Sequence, residues 1–462
     1  MILAVVSLAA LAYAVLSSAV IPALPTFQHS LHASETGVTW LLTGFLLSAS
    51  VGTAIIGKLG DMYGKQRLLV WTLLALSAGT LLAALSTTLP VLIVARVIQG
   101  VAGGIFPLAF GIVRDEFPPE RVAGSIGLMS AILGVGGGLG LVVGGLIDEH
   151  LDWHWLFWIP LPVMIVAAVC TWRWIPESQV RAPGRVNWAA AALMSAGLSC
   201  VLIGIAQTTA WGWGSPRTLA LLGSGLAICG LWITVELRSS NPLIDMKMMR
   251  LRGVWTANLA AFLLGAGLYA LFLLLPQLAQ LPKSTGFGYG ASVVAGGLYL
   301  LPCALGMGVL GSLAGQVERR FTSRRALVAG AVISAVACGW LAAYGRHPSG
   351  MLISSALLGV GIGLAFAALG NLIVQAVPPE QTGVASGMNT VLRTLGGALG
   401  GQLAATFVAA NMVDGLPTLA GFTKTFAMSA LVLAGCAVAG LLIPVQALTV
   451  PALEPTVSSE AG

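Results

Sequence analysis

The sequence Gly-Lys-Leu-Gly-Asp-Met-Tyr-Gly-Lys-Gln-Arg, residues 57–67, separates two apolar runs at about residues 38–57 and 68–87. Each run is close to the roughly 20 residues that an α-helix needs to cross a bilayer. Glycine permits close helix approach in a short turn, and basic residues are retained on the cytoplasmic side of a membrane. The stretch therefore predicts two membrane-spanning helices joined by a tight cytoplasmic loop.

The composition extends this interpretation to the whole chain. Of the 462 residues, 57% are apolar and only 8% are charged, whereas a soluble domain has roughly 25% charged residues. Too few polar residues remain to cover a water-facing surface, which excludes soluble enzymes, nucleic-acid binders and disordered regulators. The six cysteines lie in apolar stretches without metal-ligand spacing, so we expect no metal site and no cofactor.

Polar breaks divide the sequence into about fourteen apolar segments of membrane-spanning length. Strand-type alternation is absent, so the predicted fold is an all-α polytopic bundle rather than a barrel. The segments lie at about residues 2–25, 38–57, 68–87, 90–112, 122–146, 155–175, 187–207, 217–236, 254–276, 289–312, 325–344, 350–373, 382–410 and 423–443.

Basic residues predict the orientation of the bundle. Sixteen lysines and arginines lie in loops on one predicted side and four on the other, while Arg96 and Arg393 fall within segments 4 and 13. Because basic loops are retained inside, both termini are expected in the cytoplasm and the protein in the cell membrane.

An internal repeat divides the chain. Pro118-Pro119-Glu120 recurs 260 residues later as Pro378-Pro379-Glu380, and glycines that follow the first motif recur with the same spacing. A repeat in the same direction predicts two parallel six-helix halves, with two extra helices between them. The predicted units are an N-terminal bundle at 1–178, the inserted helices with flanking cytoplasmic loops at 179–252, a C-terminal bundle at 253–445 and a polar cytoplasmic tail at 446–462.

The stretch at 57–67 resembles the major facilitator superfamily signature Gly-x-Leu-x-Asp-x-x-Gly followed by basic residues. The resemblance implies a conformational latch, in which Asp61 pairs with a cation or accepts hydrogen bonds from a helix N-terminus. The matching residues are Gly57, Leu59, Asp61, Gly64, Lys65 and Arg67.

Segment 4 carries Arg96-Val97-Ile98-Gln99-Gly100, which resembles the second signature of the superfamily. The resemblance implies that Arg96 is a cavity-lining cation that tunes proton affinity or contacts substrate. Gln99 and Arg393 are assigned to the same coupling or cavity site. The alternative is a structural arginine that extends to the membrane interface.

Segment 5 resembles the antiporter signature Gly-x-x-x-Gly-Pro-x-x-Gly-Gly, but Leu141 stands where proline is usual. Small residues at every fourth position form a flat face on which a second helix can slide, although generic helix packing explains them equally well. The predicted sliding residues are Gly136, Gly140, Gly144 and Gly145.

The order of weaker motifs resembles the fourteen-span drug:proton antiporter branch over residues 1–445. In the superfamily, the pathway is lined by four helices of the twelve-helix core, which correspond to segments 1, 4, 9 and 12. Helix–helix hydrogen bonding is the alternative role for each candidate. The predicted cavity residues on these segments, beside Arg96 and Gln99, are Tyr13, Ser17, Asn258, Phe262, Tyr269 and Asn371.

Acidic residues depart from the branch. An acid is common in its first span, and Leu16 takes that place here. All sixteen acids lie in loops, at segment ends or in the tail. The sequence therefore predicts a neutral to positive cavity that prefers neutral or anionic amphiphiles.

Together these features predict a monomeric, lipid-embedded exporter of small amphipathic drugs or antibiotics, which works by alternating access in exchange for protons and is not an enzyme. One alternative is a dedicated or uncoupled exporter of a metabolite, antibiotic or siderophore. The other is a polytopic membrane enzyme, which would need clustered acids, histidines or metal ligands at one surface. Only one such cluster occurs: Asp148, Glu149, His150, Asp152 and His154.

Overall fold

A computed structural model describes residues 1–181, 186–413 and 416–444, apart from the side chains of residues 35, 36, 293 and 319. The predicted tail at 446–462 lies outside the described residues, as does part of the predicted loop before segment 7. Most of the described chain is α-helical, which confirms the predicted all-α class.

Fourteen long helices form the bundle in the described part of the chain. Thirteen are long and apolar enough to cross a membrane. The other, α13, has 28 residues; its threonines, Asn389 and Arg393 make it less apolar. In chain order, α1 to α14 are Ile2–Ala19, Glu35–Tyr63, Lys65–Ala84, Leu89–Glu116, Pro119–His150, Trp155–Trp174, Trp188–Ala206, Pro216–Arg238, Arg252–Gln280, Val294–Ser312, Ser323–Tyr344, Pro348–Gln375, Thr382–Ala409 and Leu419–Leu442.

Shorter elements lie between the long helices. A 3₁₀ turn at Val101–Gly104 interrupts α4, and the two-stranded antiparallel pair of Met412–Val413 with Leu416–Pro417 follows α13. The short helices are Leu24–Ser30, Thr208–Trp211, Met246–Met249 and Ala314–Arg320, with 3₁₀ turns at Lys283–Thr285 and Pro379–Gln381.

The predicted loop at 57–67 is mostly helical in the structure. Helix α2 continues to Tyr63 and α3 begins at Lys65, so the turn is the single residue Gly64. Its φ of 114° is a conformation that favours glycine. The prediction of a loop over residues 57–67 was wrong for most of that stretch. The polar residues of the motif remain helical beyond the end of the apolar run.

The first predicted segment was also too long. Helix α1 ends at Ala19, and Leu24–Ser30 forms a separate helix. Pro22 and Pro25 lack an amide hydrogen, and the residue before a proline avoids the helical region. The helix is therefore interrupted between Ala19 and Leu24, although the apolar run continues through this stretch.

The two six-helix halves meet along two pairs of helices. Helix α2 packs on α13, and α5 packs on α10. The repeat relates these two pairs, because segments 2 and 5 of the first half correspond to segments 10 and 13 of the second. The contacts are close where glycines meet: the Gly57 and Gly383 backbones leave no room for a Cβ at either position.

The inserted helices α7 and α8 pack on each other, and α7 also contacts α2 and α13. The turn between them is hydrogen-bonded to α13. The Thr209 hydroxyl donates to the Gln402 side-chain oxygen at 2.6 Å, and the Trp213 indole donates to the Thr406 hydroxyl at 2.9 Å. The inserted pair is thus attached to a helix of the second half.

Candidate functional site

A narrow cavity lies at the centre of the bundle between α4, α5, α12 and α13. Both halves contribute to it, and its volume of about 10 Å³ leaves room for roughly one water molecule. Aromatic and small polar side chains dominate the wall. The lining residues are Phe106, Phe110, Ser130, Leu133, Phe366, Gly370, Ile373, Ser386, Asn389, Thr390 and Arg393.

Arg393 is the predicted site residue that lines this cavity. Its guanidinium carbon lies 4.8 Å from the centroid of the Phe366 ring, within the range of a cation–π interaction. Among the described residues, the Arg393 side chain has no hydrogen-bond or ion-pair partner, and it is only half-buried.

Arg96 is held differently, within the first half. Its side chain is fully buried, donates to the Leu41 carbonyl at 3.2 Å and to the Gln99 side-chain oxygen at 2.8 Å, and lies over the Phe45 ring at 4.2 Å. Gln99 in turn donates to the Thr80 hydroxyl. Arg96 and Gln99 do not line the cavity in this conformation.

The predicted residues of α1 lie beside the cavity. The Tyr13 ring stacks on Phe45 at 5.8 Å and meets the cavity residue Phe106 edge-on at 6.2 Å. Ser17 donates to the Ala14 carbonyl of its own helix. Tyr13 therefore connects the Arg96 side of the first half with the cavity wall.

Three further candidates, all on α9, contact α13. The Asn258 side-chain oxygen accepts from the Asn389 amide at 3.0 Å, so it joins α9 to α13. The Phe262 backbone packs on Gly396, and the Tyr269 ring packs on Gly397 while 41% of its surface stays exposed. These placements include the helix–helix hydrogen bonding named above as the alternative role.

Asp61 joins the two halves at the Gly64 end of the bundle. Its carboxylate is buried and accepts from the backbone amides of Gly383 at 3.1 Å and Val384 at 2.9 Å. These amides belong to the first turn of α13, where unpaired N–H groups and the helix dipole favour an anion.

Arg114, at the end of α4, adds a second connection to the same region. It donates to the Thr382 hydroxyl at 2.6 Å and to the Val377 carbonyl at 2.9 Å. The motifs discussed above do not single out Arg114. The start of α13 is therefore held by two side chains of the first half, one anionic and one cationic.

Gly64, Lys65 and Arg67 of the 57–67 motif make their contacts within the first half. The buried Lys65 ammonium lies 2.5 Å from the Asp115 carboxylate. A Cβ on Gly64 would lie 2.4 Å from the Glu177 carboxylate, and the exposed Arg67 is 3.9 Å from the same group. Lys65 and Gly64 thus position α3, whereas the Arg67 contact is weak.

The second half presents a matching group to α5. Asn371 donates to the Glu318 carboxylate at 2.8 Å and to the Ala123 carbonyl of α5 at 3.1 Å. Asn371 thus lies at the interface of the halves and not on the cavity wall. Glu318 and Asn371 each lie 257 positions after Asp61 and Arg114, three fewer than the offset of 260 in the sequence repeat, so that offset alone does not identify them.

Glu318 lies beyond the end of the membrane-spanning part of α10. Burial raises the pKa of its carboxyl to about 7. The neutral amides of Asn371 and Gln375 are the described side chains that hydrogen-bond it. The carboxyl can therefore exchange a proton near neutral pH.

Three of the four predicted sliding glycines face α1. A Cβ on Gly136, Gly140 or Gly144 would lie within 2.5 Å of α1 atoms, whereas one on Gly145 would have its nearest neighbour at 3.6 Å. Helices α1 and α5 therefore approach closely, as small residues allow.

The acidic group at the opposite end does not gather into a metal site. His154 contacts the Asp152 carboxylate and the Ser86 carbonyl. In the described parts of the chain, no three His, Cys, Asp or Glu side chains are placed to hold a metal ion.

Comparison with known proteins decides the family. The family model described as Major Facilitator Superfamily matches residues 6–401. The chain belongs to the Major Facilitator Superfamily. It is thus a multi-pass membrane protein of a transporter family, and the fourteen helices are consistent with that superfamily.

Two relatives within the Major Facilitator Superfamily are named for resistance. The chain is 31% identical to the tetracenomycin C resistance and export protein of Streptomyces glaucescens, covering 87% of this chain and 74% of that protein. It is 28% identical to multidrug resistance protein 3 of Bacillus subtilis strain 168, covering 78% and 70%.

A solved structure of the human organic anion transporter MFSD10 has a TM-score of 0.69 and 16% identity over 96% of this chain and 99% of that one. At this identity the likeness shows the fold alone.

Proposed function

We propose that the protein exports small amphipathic molecules across the cell membrane by alternating access, in exchange for protons. The observation that carries the proposal is the pair of contacts from Asp61 and Arg114 to the start of α13. These contacts close the Gly64 end of the bundle around a cavity formed by both halves. The proposal is supported by the relatives named as a tetracenomycin C resistance and export protein and a multidrug resistance protein.

The Gly64 end faces the cytoplasm in this proposal, as the basic loops indicate. The structure then corresponds to a state closed to the cytoplasm, and Asp61 acts as the latch that must release before substrate can enter. Both termini lie in the cytoplasm. A tag at either terminus should be protected in intact cells and accessible after permeabilisation.

Glu318 is the proposed proton-binding group at this interface. Its carboxyl is partly buried between the halves when the Gly64 end is closed, and opening that end would expose it fully to water. Exposure lowers a carboxyl pKa that burial has raised. A proton bound in the closed state would therefore be released to the cytoplasm on opening, the direction that proton exchange with an exported substrate requires.

The test is a drug-susceptibility panel in an efflux-deficient bacterial host. Expression of the protein should raise resistance to some amphipathic drugs, and an uncoupler should abolish their efflux. Efflux that persists with the uncoupler would favour the uncoupled exporter, and resistance to a single compound would favour a dedicated one.

A further inference from the structure

The Arg393 guanidinium is a half-buried charge that the proposed export cycle does not use. It projects from the middle of α13 into the wall of the central cavity. A cation inside a membrane protein is costly unless it is paired, hydrogen-bonded or hydrated. Its presence in the cavity therefore calls for a partner.

Arg393 and Arg96 differ in their hydrogen-bond partners. Arg96 is fully buried and has two hydrogen-bond acceptors within the first half. Arg393, in the described part of the chain, has the Phe366 ring face as its recorded partner and no oxygen acceptor. A guanidinium carries five N–H donors in a planar fork that matches an acidic group. Those donors are directed to a region that substrate would occupy.

Among the residues that the structure describes, no acidic side chain pairs with Arg393. The ionisable groups whose charges act on it are the phenols of Tyr13 and Tyr269, and phenols are ordinarily neutral near pH 7. No carboxylate belongs to the described lining of the cavity. A substrate cation would meet repulsion here, and a substrate anion would be attracted.

The aromatic part of the site lies next to this charge. Phe366 belongs to α12 and Arg393 to α13, so both are in the second half and keep their contact if the halves move as rigid bodies. Phe106 and Phe110 of α4 close the cavity from the first half. Separation of the halves would widen the cavity and leave the Arg393–Phe366 contact intact.

We propose that Arg393 and Phe366 form a binding subsite for the acidic group of an aromatic, anionic amphiphile. The guanidinium pairs with the acid, while the rings of Phe106, Phe110 and Phe366 contact the aromatic body of the ligand. The inference rests on the proposed export function and names its substrate class.

The test uses three probes with one ring system: anthraquinone-2-sulfonate, the neutral anthraquinone-2-sulfonamide, and the same ring bearing a trimethylammonium group. Binding to the purified full chain in detergent is measured by calorimetry. We expect the sulfonate to bind roughly tenfold more tightly than the sulfonamide, since charge-assisted bidentate pairing is strong. The quaternary amine should bind most weakly.

Substitutions at Arg393 and Phe366 test whether these residues cause the preference for the sulfonate. Arg393→Gln should bring the sulfonate to the affinity of the sulfonamide, and Arg393→Lys should keep part of the preference because the charge remains but the fork is lost. Phe366→Leu should weaken the sulfonate and the sulfonamide alike. Arg217→Gln, which removes an exposed arginine, is the matched control and should leave all three affinities unchanged.

Equal affinity for sulfonate and sulfonamide in the unaltered protein would overturn the proposal, as would a preference that survives in folded Arg393→Gln. If Arg393→Gln does not fold, the ranking in the unaltered protein and in Arg393→Lys decides. Binding needs no transport, so the two proposals can fail separately. A sulfonate preference without export would contradict the function alone, and export without that preference would contradict the subsite alone.

Discussion

Asp61 is buried, with 1% of its surface exposed, and both of its carboxylate oxygens accept a backbone amide from α13. A buried carboxylate is tolerated when such hydrogen bonds replace water. The sequence motif predicted a helix N-terminus or a cation as partner, but it could not identify α13, since the partner lies 322 positions away. Arg96 and Arg393 illustrate the same limit, because the sequence does not say which arginine faces the cavity.

Asp61→Asn should reduce transport of every substrate while leaving binding in detergent nearly unchanged. The amide can accept one of the two hydrogen bonds but carries no charge to interact with the α13 dipole. Proteoliposome transport and calorimetry measure the two effects. Arg67→Gln is the control within the same motif and should behave like the unaltered protein, since Arg67 is exposed and its nearest acid is 3.9 Å away. Loss of affinity for one substrate only would contradict the role of Asp61 as a latch.

Glu318→Gln should remove a pH dependence from the opening of the Gly64 end. With a pKa of about 7 in the closed state, Glu318 binds a proton more tightly there than when exposed, so closing is favoured as pH falls and opening as pH rises through 7. A cysteine at Ser386, a buried cavity residue, in a background without the six native cysteines reports opening by maleimide labelling in inside-out vesicles.

Because maleimide reacts with the thiolate, whose fraction rises with pH, labelling is expressed relative to that of the same protein denatured at the same pH. This relative labelling should increase between pH 6 and pH 8 with Glu318 present. With Glu318→Gln it should stay low at both pH values, because the amide is neutral throughout. The same increase in both proteins would show that another group controls opening.

At the scale of elements, close helix contacts depend on glycines that recur with the repeat. Gly136 and Gly140 of α5 face α1, and Gly396 and Gly400, 260 residues later, face α9. The spacing of the glycines in the sequence defines one side of each helix, but it does not identify the partner helix. Helix ends were predicted less well: α2 extends six residues beyond the apolar run at 38–57, because polar residues remain helical past the end of that run.

Gly140→Val should destabilise the α1–α5 contact. A Cβ at position 140 would lie 2.1 Å from the Ser18 hydroxyl and 2.4 Å from the Val15 carbonyl, and overpacking of this kind costs about 1–3 kcal/mol. Gly137→Ala is the matched control on the same helix, because nothing lies within 4 Å of a Cβ there. Thermal unfolding in detergent should give a lower Tm for Gly140→Val and an unchanged Tm for Gly137→Ala. Equal Tm values would contradict the close contact.

At the scale of the whole molecule, two repeated groups face each other across the halves. Asp61 and Arg114 bind the start of α13, and Asn371, which also donates to Glu318, binds the Ala123 carbonyl near the start of α5. The first group consists of an acid and an arginine, and the second consists of an acid and a neutral amide. Closing the Gly64 end therefore forms both sets of contacts at once, and the second set can change its charge with pH. The repeat was visible in the sequence, whereas the partial burial of Glu318 depends on the packing of the short helix Ala314–Arg320 and of α12 on α5.

The central claim is that opening and closing of the Gly64 end couples substrate export to proton entry. The most direct measurement places the protein in proteoliposomes with a trapped pH-sensitive dye and an imposed pH gradient, and adds each anthraquinone probe in turn. We predict that a transported probe accelerates proton flux in the unaltered protein and that the probe moves toward the acidic side, while Asp61→Asn shows neither effect. Probe transport at the same rate with and without the gradient, and with no proton flux, would contradict the claim.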